Sequence, residues 1–307
     1  MPTPTKTINF MGIRKVLGTL SICLVVASII LLATRGLNLG LDFTGGTTVV
    51  VEAPADIDIA QVRQDLEEAG FSDAVVQQYG SARDISVRVA PQEGMEADQV
   101  GQNVYQTLSG GIDDLQLKQV EFVGPQVGDE LRDQSGLAML MALGLMLVYV
   151  WFRFSNKFGI ATVAALLHDV IIVLGLFSLV RWPFDLTVLA AVLALIGYSL
   201  NDSIVVADRI RENFRNTRET DPHVIVNGAI SETLSRTINT SFTTILVLVA
   251  LFFFGGEVMR AFSEALLVGI FVGTYSSIYV VANLLFTLGV SKEDFLIPEK
   301  EEIDEMP

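Results

Sequence analysis

Residues 16–33 carry no charge. At 1.5 Å per helical residue such a run covers about 27 Å, close to the hydrocarbon thickness of a bilayer. The pattern then changes. Between residues 37 and 135 short apolar runs alternate with polar ones. The Val-rich stretch 47–52 and the stretches 75–79, 85–89 and 117–123 predict strands, while 58–69, with Ile59, Val62 and Leu66 on one face, and 97–108 predict helices. The order β-α-β-β-α-β predicts a ferredoxin-like α+β sandwich. Beyond Arg132 and Asp133 five further apolar segments follow, near 136–151, 158–180, 186–206, 237–254 and 265–288. The expected fold is an α-helical integral membrane protein with six transmembrane helices and one ferredoxin-like α+β domain between helices 1 and 2.

Composition and charge refine this picture. The 307 residues are 51% hydrophobic and 18% charged, too little polar surface to cover a soluble globule of that size. Of the formal net charge of −15, residues 37–135 carry −13, with 18 Asp plus Glu against 5 Arg plus Lys. Basic residues cluster at alternate connections: Lys6, Arg14 and Lys15 before the first span, Arg153 and Lys157 after the second, and Arg209, Arg211, Arg215 and Arg218 after the fourth. The other connections hold Arg181 with Asp185 and Glu257 with Arg260. Positive-inside counting places both termini in the cytoplasm and the acidic domain on the opposite face, the periplasm in a bacterial inner membrane. The divisions expected are 1–36 (cytoplasmic N-terminus and first helix), 37–135 (periplasmic domain), 136–290 (five-helix membrane domain) and 291–307, of which 293–307 reads as a solvated acidic tail. No small-x-small cleavage site follows the first apolar run, so it reads as an uncleaved anchor. The single Cys, Cys23, reads as a small buried hydrophobe and permits no intramolecular disulfide.

Polar residues inside the spans supply the candidate chemistry. A charged side chain in hydrocarbon is costly and normally faces a bundle interior or a polar path. Asp202 lies 17 residues beyond Asp185, about 25 Å inward, and Arg236 opens the next span 19 residues before Gly255, about 28 Å from the same boundary. The matching depths predict an Asp202–Arg236 contact whose making or breaking takes up or releases a proton; a permanent ion pair, or an Arg236 that snorkels to headgroups, is the competing reading. Arg236, Asn239, Thr240 and Thr243 form a polar stripe at helical offsets, suited to water or to helix–helix hydrogen bonds, and Tyr198, Ser199 and Asn201 cluster around Asp202. In the third span His168 and Asp169 are candidates for a proton relay, although neighbouring helical positions lie about 100° apart, which predicts no direct contact between them. In the sixth span Gly269 and Gly273 permit close helix approach, and Ser276, Ser277 and Asn283 continue that small or polar face. Two His and one Cys offer no metal cluster. The GLDFTGGT stretch (40–47) reads as a tight turn at the membrane exit; it lacks the Lys and the strand–loop–helix context of a phosphate loop. No nucleophile–base constellation suggests an enzyme, and the acidic charge argues against nucleic acid as a partner.

The segments GLDFTGGT (40–47), VEFVGPQVG (120–128), LLHDVIIVLG (166–175), IGYSLNDSIVVADRIRENFR (196–215), SRTINTSFTT (235–244) and LLVGIFVGTYSSIYV (266–280) resemble, in this order and over nearly the whole chain, the SecF family of protein-export subunits. The resemblance implies membership of the resistance-nodulation-division superfamily, association with SecD and through it with the SecYEG channel and its accessory subunits, and capture of preprotein by the periplasmic domain. It implies protons as the coupling ion and no other cofactor. The family's functional acidic residue of the fourth span maps onto Asp202 and its functional arginine of the fifth onto Arg236, and the turn residues Gly40, Asp42, Gly45 and Gly46 belong to its first motif. The family's principal proton-carrying Asp lies in SecD, so this chain is expected to supply half of the pathway. Two other readings stay open at this point: a small-molecule efflux transporter of the same superfamily, and a structural scaffold for a partner membrane subunit.

Overall fold

A computed structural model describes residues 7–79, 81–92, 95–153, 156–291 and 294, with no side-chain description for residues 82, 257 and 258. Apart from Asp294, the expected acidic tail of 293–307 lies outside the described residues, as do Lys6 and the side chain of Glu257.

The chain enters through a short 3₁₀ turn (Met11–Ile13) into α1 (Arg14–Arg35) and pairs β1 (Asn38–Leu39) before a four-residue helical turn, α2 (Leu41–Thr44). The polar region then contains β2 (Gly46–Glu52), α3 (Ile59–Glu68), β3 (Val75–Tyr79), β4 (Ser81–Val89), α4 (Ala97–Gly111) and β5 (Gln116–Val123). Its four strands form one antiparallel sheet in the order β3-β4-β2-β5. Strand alternation supplies Val49, Val51, Ile85, Val87 and Val89 to a buried face, against which α3 presses Val62 and Leu66, and α4 presses Val100, Val104 and Leu108. Helix α3 starts where Asp58 accepts a hydrogen bond from the Ala60 amide at 2.9 Å, an ordinary side-chain N-cap.

Among the described residues, six helical stretches are long and apolar enough to cross a membrane. Besides α1 they are α5 (Pro125–Arg153), α6 (Asn156–Val180), α7 (Leu186–Asn216), α8 (Pro222–Phe254) and a final helix made of α9 (Gly256–Tyr275), a π turn (Ser276–Val280) and α10 (Val281–Thr287). Three of them start or end beyond the apolar runs: α5 begins at Pro125 inside the polar region, α7 continues to Asn216 and α8 begins at Pro222. Arg236, expected to open its span, therefore lies well inside α8. Helices α6, α7 and α9–α10 form the interior, whereas α1, α5 and α8 keep most of their apolar side chains on the outside. Cys23, expected to be buried, is on that outer surface of α1; in a bilayer this face needs no protein cover.

Small residues set the distances between helices. A Cβ on Gly175 of α6 would stand 2.3 Å from the Ser28 side chain and 2.8 Å from its Cα on α1, and one on Gly269 of α9 would stand 2.6 Å from Leu195 of α7. The second contact is the close approach expected of the sixth span; the first pairs helices far apart in sequence.

The GLDFTGGT turn does more than reverse the chain. Gly40 donates its amide to Phe184 O at 2.7 Å beside the parallel pair of β1 with β6 (Pro183–Phe184). Asp42 accepts from the Leu186 amide at 3.0 Å, and Asp185 accepts from the Val188 amide at 2.8 Å, so two carboxylates cap the N-terminus of α7. Gly45 and Gly46 have φ of 65° and 119°, and a Cβ on either would collide with backbone, Pro125 of α5 for Gly45 and Val89 O of β4 for Gly46. From the sheet, Arg88 of β4 reaches back to Leu39 O at 2.5 Å and Asn38 Oδ1 at 3.2 Å, and Asn38 donates to Arg181 O at 2.8 Å. Strand, turn and the start of α7 are thus one hydrogen-bonded unit.

Two outcomes follow from these contacts. Gly175→Ala forces α1 away from α6 because the obstruction includes backbone, and should destabilise the helical part by about 1–3 kcal/mol, read as a lowered unfolding midpoint in detergent; an unchanged midpoint contradicts the packing. Burial raises the Asp185 carboxyl above the ordinary carboxylate value, reinforced by the nearby Asp42 charge and opposed by the Val188 amide. A folded value above the unfolded one means that stability present at low pH is lost as pH rises through the raised value. Asp185→Asn keeps a capping oxygen and removes that loss, so its unfolding midpoint should fall less than the wild type's between pH 4 and pH 7; an equal or steeper fall contradicts the assignment.

Candidate functional site

Along α6, α7 and α9–α10 the buried apolar side chains fall into two clusters. One contains Phe158, Ala165, Val206, Ile210, Val281 and Leu285; the other contains Val170, Val173, Phe177, Val188, Leu195 and Ile270. Buried polar residues occupy the seam between them: His168, Asp169, Ser199, Asp202, Ser203, Thr237, Ser241, Ser276 and Ser277. Every helix of the interior contributes, so this layer crosses the middle of the bundle.

Asp169 is fully buried, with 0% exposure. Its Oδ1 lies 2.8 Å from His168 Nδ1, and its Oδ2 accepts from Ser276 Oγ at 2.7 Å and from Ser199 Oγ in a very short contact. The expectation that His168 and Asp169 do not touch is therefore wrong. Their Cβ directions diverge on the helix, but two rotatable bonds in each side chain let the imidazole fold back onto the carboxyl. Nδ1 thus stands within hydrogen-bond reach of the Asp169 carboxyl, with Nε2 on the other side of the ring. Nε2 has no hydrogen-bond partner among the described residues, and neither do Thr162 Oγ1 and Ser203 Oγ, the three such buried side-chain atoms there. The imidazole packs against the Tyr275 ring at 6.3 Å between centroids, and Tyr275 Oη meets Ser21 Oγ at 2.8 Å and donates to Leu17 O at 2.9 Å on α1.

Asp202 is 7% exposed and accepts from Thr237 Oγ1 of α8 at 2.8 Å and from Ser277 Oγ of the π turn at 2.6 Å. Arg236 is not its partner. The reckoning along the axis gave their depths but not their directions: Thr237, one residue and about 100° further round α8, points inward, and Arg236 points out. Arg236 makes no ion pair among the described residues and lines an open groove with Asp208, Arg209, Glu212 and Glu232. In that groove Arg209 bridges Glu232 at 2.5 Å and Glu212 at 2.6 Å. The rest of the expected stripe shares this outward face. Asn239, Thr240 and Thr243 are exposed, and the two threonines return their hydroxyls to Arg236 O and Asn239 O of their own helix. The inward polar face of α8 is a different one, with Thr237 on Asp202 and Ser241 linked to Tyr198 at 3.2 Å and Thr274 at 2.7 Å.

Of the residues singled out in the sequence, Ser199, His168 and Asp169 therefore meet at one carboxylate, Asp202 stands in the same layer on other partners, and Arg236, Asn239 and Thr243 lie outside it. Gly40, Asp42, Gly45 and Gly46 sit at the far end of α7. Thr237, Ser276 and Ser277 are the donors that the sequence reading missed as such. Two adjacent serines in the middle of a membrane span, opposite two membrane-embedded carboxylates, were the available signal.

With this geometry in place, comparison with known proteins is specific. The family described as "Protein export membrane protein SecD/SecF, C-terminal" matches residues 104–291, which contain Asp169, Asp202 and both serines, and the "SecD/SecF GG Motif" matches residues 30–53 around the Gly45–Gly46 turn. A protein translocase subunit SecF from Pseudomonas aeruginosa is 49% identical over 98% of each chain, and one from Vibrio alginolyticus is 47% identical over 98% of each. Among solved structures, SecDF from Thermus thermophilus, described as a translocon-associated membrane protein, superposes with a TM-score of 0.83 at 40% identity; a SecDF structure in a super-membrane-facing form superposes with 0.68 at 39%. In both cases 94% of this chain aligns but spans only 39% of the SecDF chain. By family match, by identity and by length, the chain belongs to the SecF family of protein translocase subunits.

Proposed function

We propose that this chain is an accessory subunit of the bacterial Sec protein translocase that uses the proton motive force to assist export of preproteins across the inner membrane. The observation that carries the reading is the buried layer: Asp169 and Asp202 are held in the middle of the bundle by hydroxyl donors and one imidazole, with no cation paired to Asp202 among the described residues. A permanently ionised carboxylate without a counter-charge is unfavourable in such surroundings by several kcal/mol. A group that alternates between acid and carboxylate, with donors arranged for either state, is the economical use of the site. His168 Nε2 and the hydroxyls of Thr162 and Ser203 are buried polar atoms on α6 and α7 without a hydrogen-bond partner among the described residues, and so add unused donor and acceptor capacity to those helices. The chemistry needs a proton, no other cofactor and no enzymatic step.

The partner of this chain is SecD, after the SecDF relatives. The outward face of α8 is where we dock it, since Arg236 is exposed there without an ion-pair partner among the described residues and a SecD carboxylate would answer its charge. We read the β-α-β-β-α-β unit, with its sheet order β5-β2-β4-β3, as a ferredoxin-like domain on the periplasmic side, where it receives preprotein emerging from SecYEG; both termini lie in the cytoplasm. Movement of that domain would reach the proton site through the Asp42 cap and α7.

The test is export and proton flux in vesicles holding the whole complex. Asp202→Asn should assemble with SecD normally, yet export precursor with a gradient no faster than the wild type does without one, whereas Arg236→Met should weaken assembly with SecD and lose gradient-driven export with it. Wild-type rates for both variants would overturn the reading. A scaffold role predicts that outcome, and an efflux role predicts drug sensitivity without precursor accumulation.

A further inference from the structure

We propose that Ser276 and Ser277 are positioning residues that couple the protonation of Asp169 to that of Asp202 through the π turn of the sixth span. The inference rests on the reading of the two carboxyls as proton sites and adds a mechanism by which they communicate.

Each serine hydroxyl has one hydrogen and two acceptors in reach. Ser276 Oγ lies 2.7 Å from Asp169 Oδ2 and 3.2 Å from Gly273 O. Ser277 Oγ lies 2.6 Å from Asp202 Oδ2 and 3.0 Å from Thr274 O. An ionised carboxylate is the stronger acceptor, so the hydrogen points to Asp. When Oδ2 takes up a proton, the carboxyl becomes the donor and Ser Oγ the acceptor. The serine hydrogen then rotates onto the Gly273 or Thr274 carbonyl. One proton enters, one hydroxyl turns, and no other bond is made or broken.

Those two carbonyls belong to the turn that leads into the π segment. Gly273 O already accepts from the Ser276 amide, and the segment closes with the Val281 amide on Ser276 O, five residues back. An added hydroxyl hydrogen competes for the same lone pairs that hold the helix ladder, and π turns lie close in energy to the α-helical register. The serines are consecutive, joined by one planar peptide, and face different helices: Ser276 meets α6 and Ser277 meets α7. Any shift in the turn made by one carboxyl therefore changes the donor geometry offered to the other.

The neighbouring titratable and charged groups do not provide this link. His168 bonds Asp169 alone, Tyr275 stacks beyond that imidazole and bonds α1, Tyr279 packs on Tyr275, and Tyr198 is engaged with Ser241. On α8, Glu232 is taken by Arg209, and Arg236 faces outward with Asp208 in the same groove. Among the described residues, the π turn donates a hydroxyl to each carboxyl, while α7, which carries Asp202, meets Asp169 through Ser199.

The experiment is hydrogen–deuterium exchange of peptides spanning residues 273–281 in the whole complex in lipid, at a series of pH values, with the infrared carboxyl band recorded on the same samples. In the wild type, exchange of the π-turn amides should change by about tenfold, a local opening difference of about 1.4 kcal/mol, over the pH range in which the carboxyl band appears. In Ser276→Ala with Ser277→Ala the band should still appear while exchange becomes independent of pH. In Asp202→Asn the titration of Asp169 should move, and it should stop moving when Ser277→Ala is added to Asp202→Asn. A titrating band with pH-independent exchange in the wild type overturns the coupling and leaves the proton sites intact. Absence of any titrating carboxyl band overturns both.

Discussion

A carboxyl group in the middle of a membrane protein must be given hydrogen-bond donors or be neutral, and most of what is specific in this structure meets that constraint. Asp169 and Asp202 bring five side-chain contacts into one layer: Ser199, Ser276 and His168 for the first, Thr237 and Ser277 for the second. Those contacts fix how α6, α7, α8 and the last helix face one another, because each donor comes from a helix that must be rotated to present it. The apolar clusters above and below supply cohesion without direction, since any helix rotation that keeps the side chains packed would serve them. The polar layer chooses among those rotations.

Helix α7 joins this layer to the rest of the molecule. At one end Asp42 and Asp185 cap it and the Gly45–Gly46 turn lets β4 and α5 approach; in the middle it carries Ser199 and Asp202; at the other end Arg209 ties it to Glu232 of α8. The coupling we propose from the soluble region runs along this one continuous helix, capped by Asp42, with no series of side-chain relays. The first family motif thus caps the helix that carries Asp202 about 25 Å further along, though it shares no side-chain contact with the buried carboxylates.

Much of the architecture was legible because it depends on periodicity. The four strands and two helices expected between residues 47 and 123 are found there, while β1 and the short α2 before them carry no such periodicity. The six membrane helices follow from length and hydropathy, and Asp202, Asp169 and Ser199 stand out as polar atoms where hydrocarbon is expected. What was not legible depends on rotation about a helix axis and on long-range partners. Residue counting set Arg236 level with Asp202 but could not tell that Thr237 faces inward in its place. The 100° rule separated His168 from Asp169 because it follows Cβ atoms and ignores side-chain reach. The π turn at Ser276–Val280 leaves no mark in hydropathy, and the capping of α7 by Asp42 joins residues 144 positions apart.

The central claim is that Asp169 and Asp202 each exchange a proton within this chain. Infrared difference spectroscopy of the complex in lipid, with pH stepped across the range in which export operates, tests it most directly. The account predicts two protonated-carboxyl bands in the wild type, one missing in Asp169→Asn and the other in Asp202→Asn. A wild-type spectrum in which neither substitution removes a pH-dependent carboxyl band would contradict it.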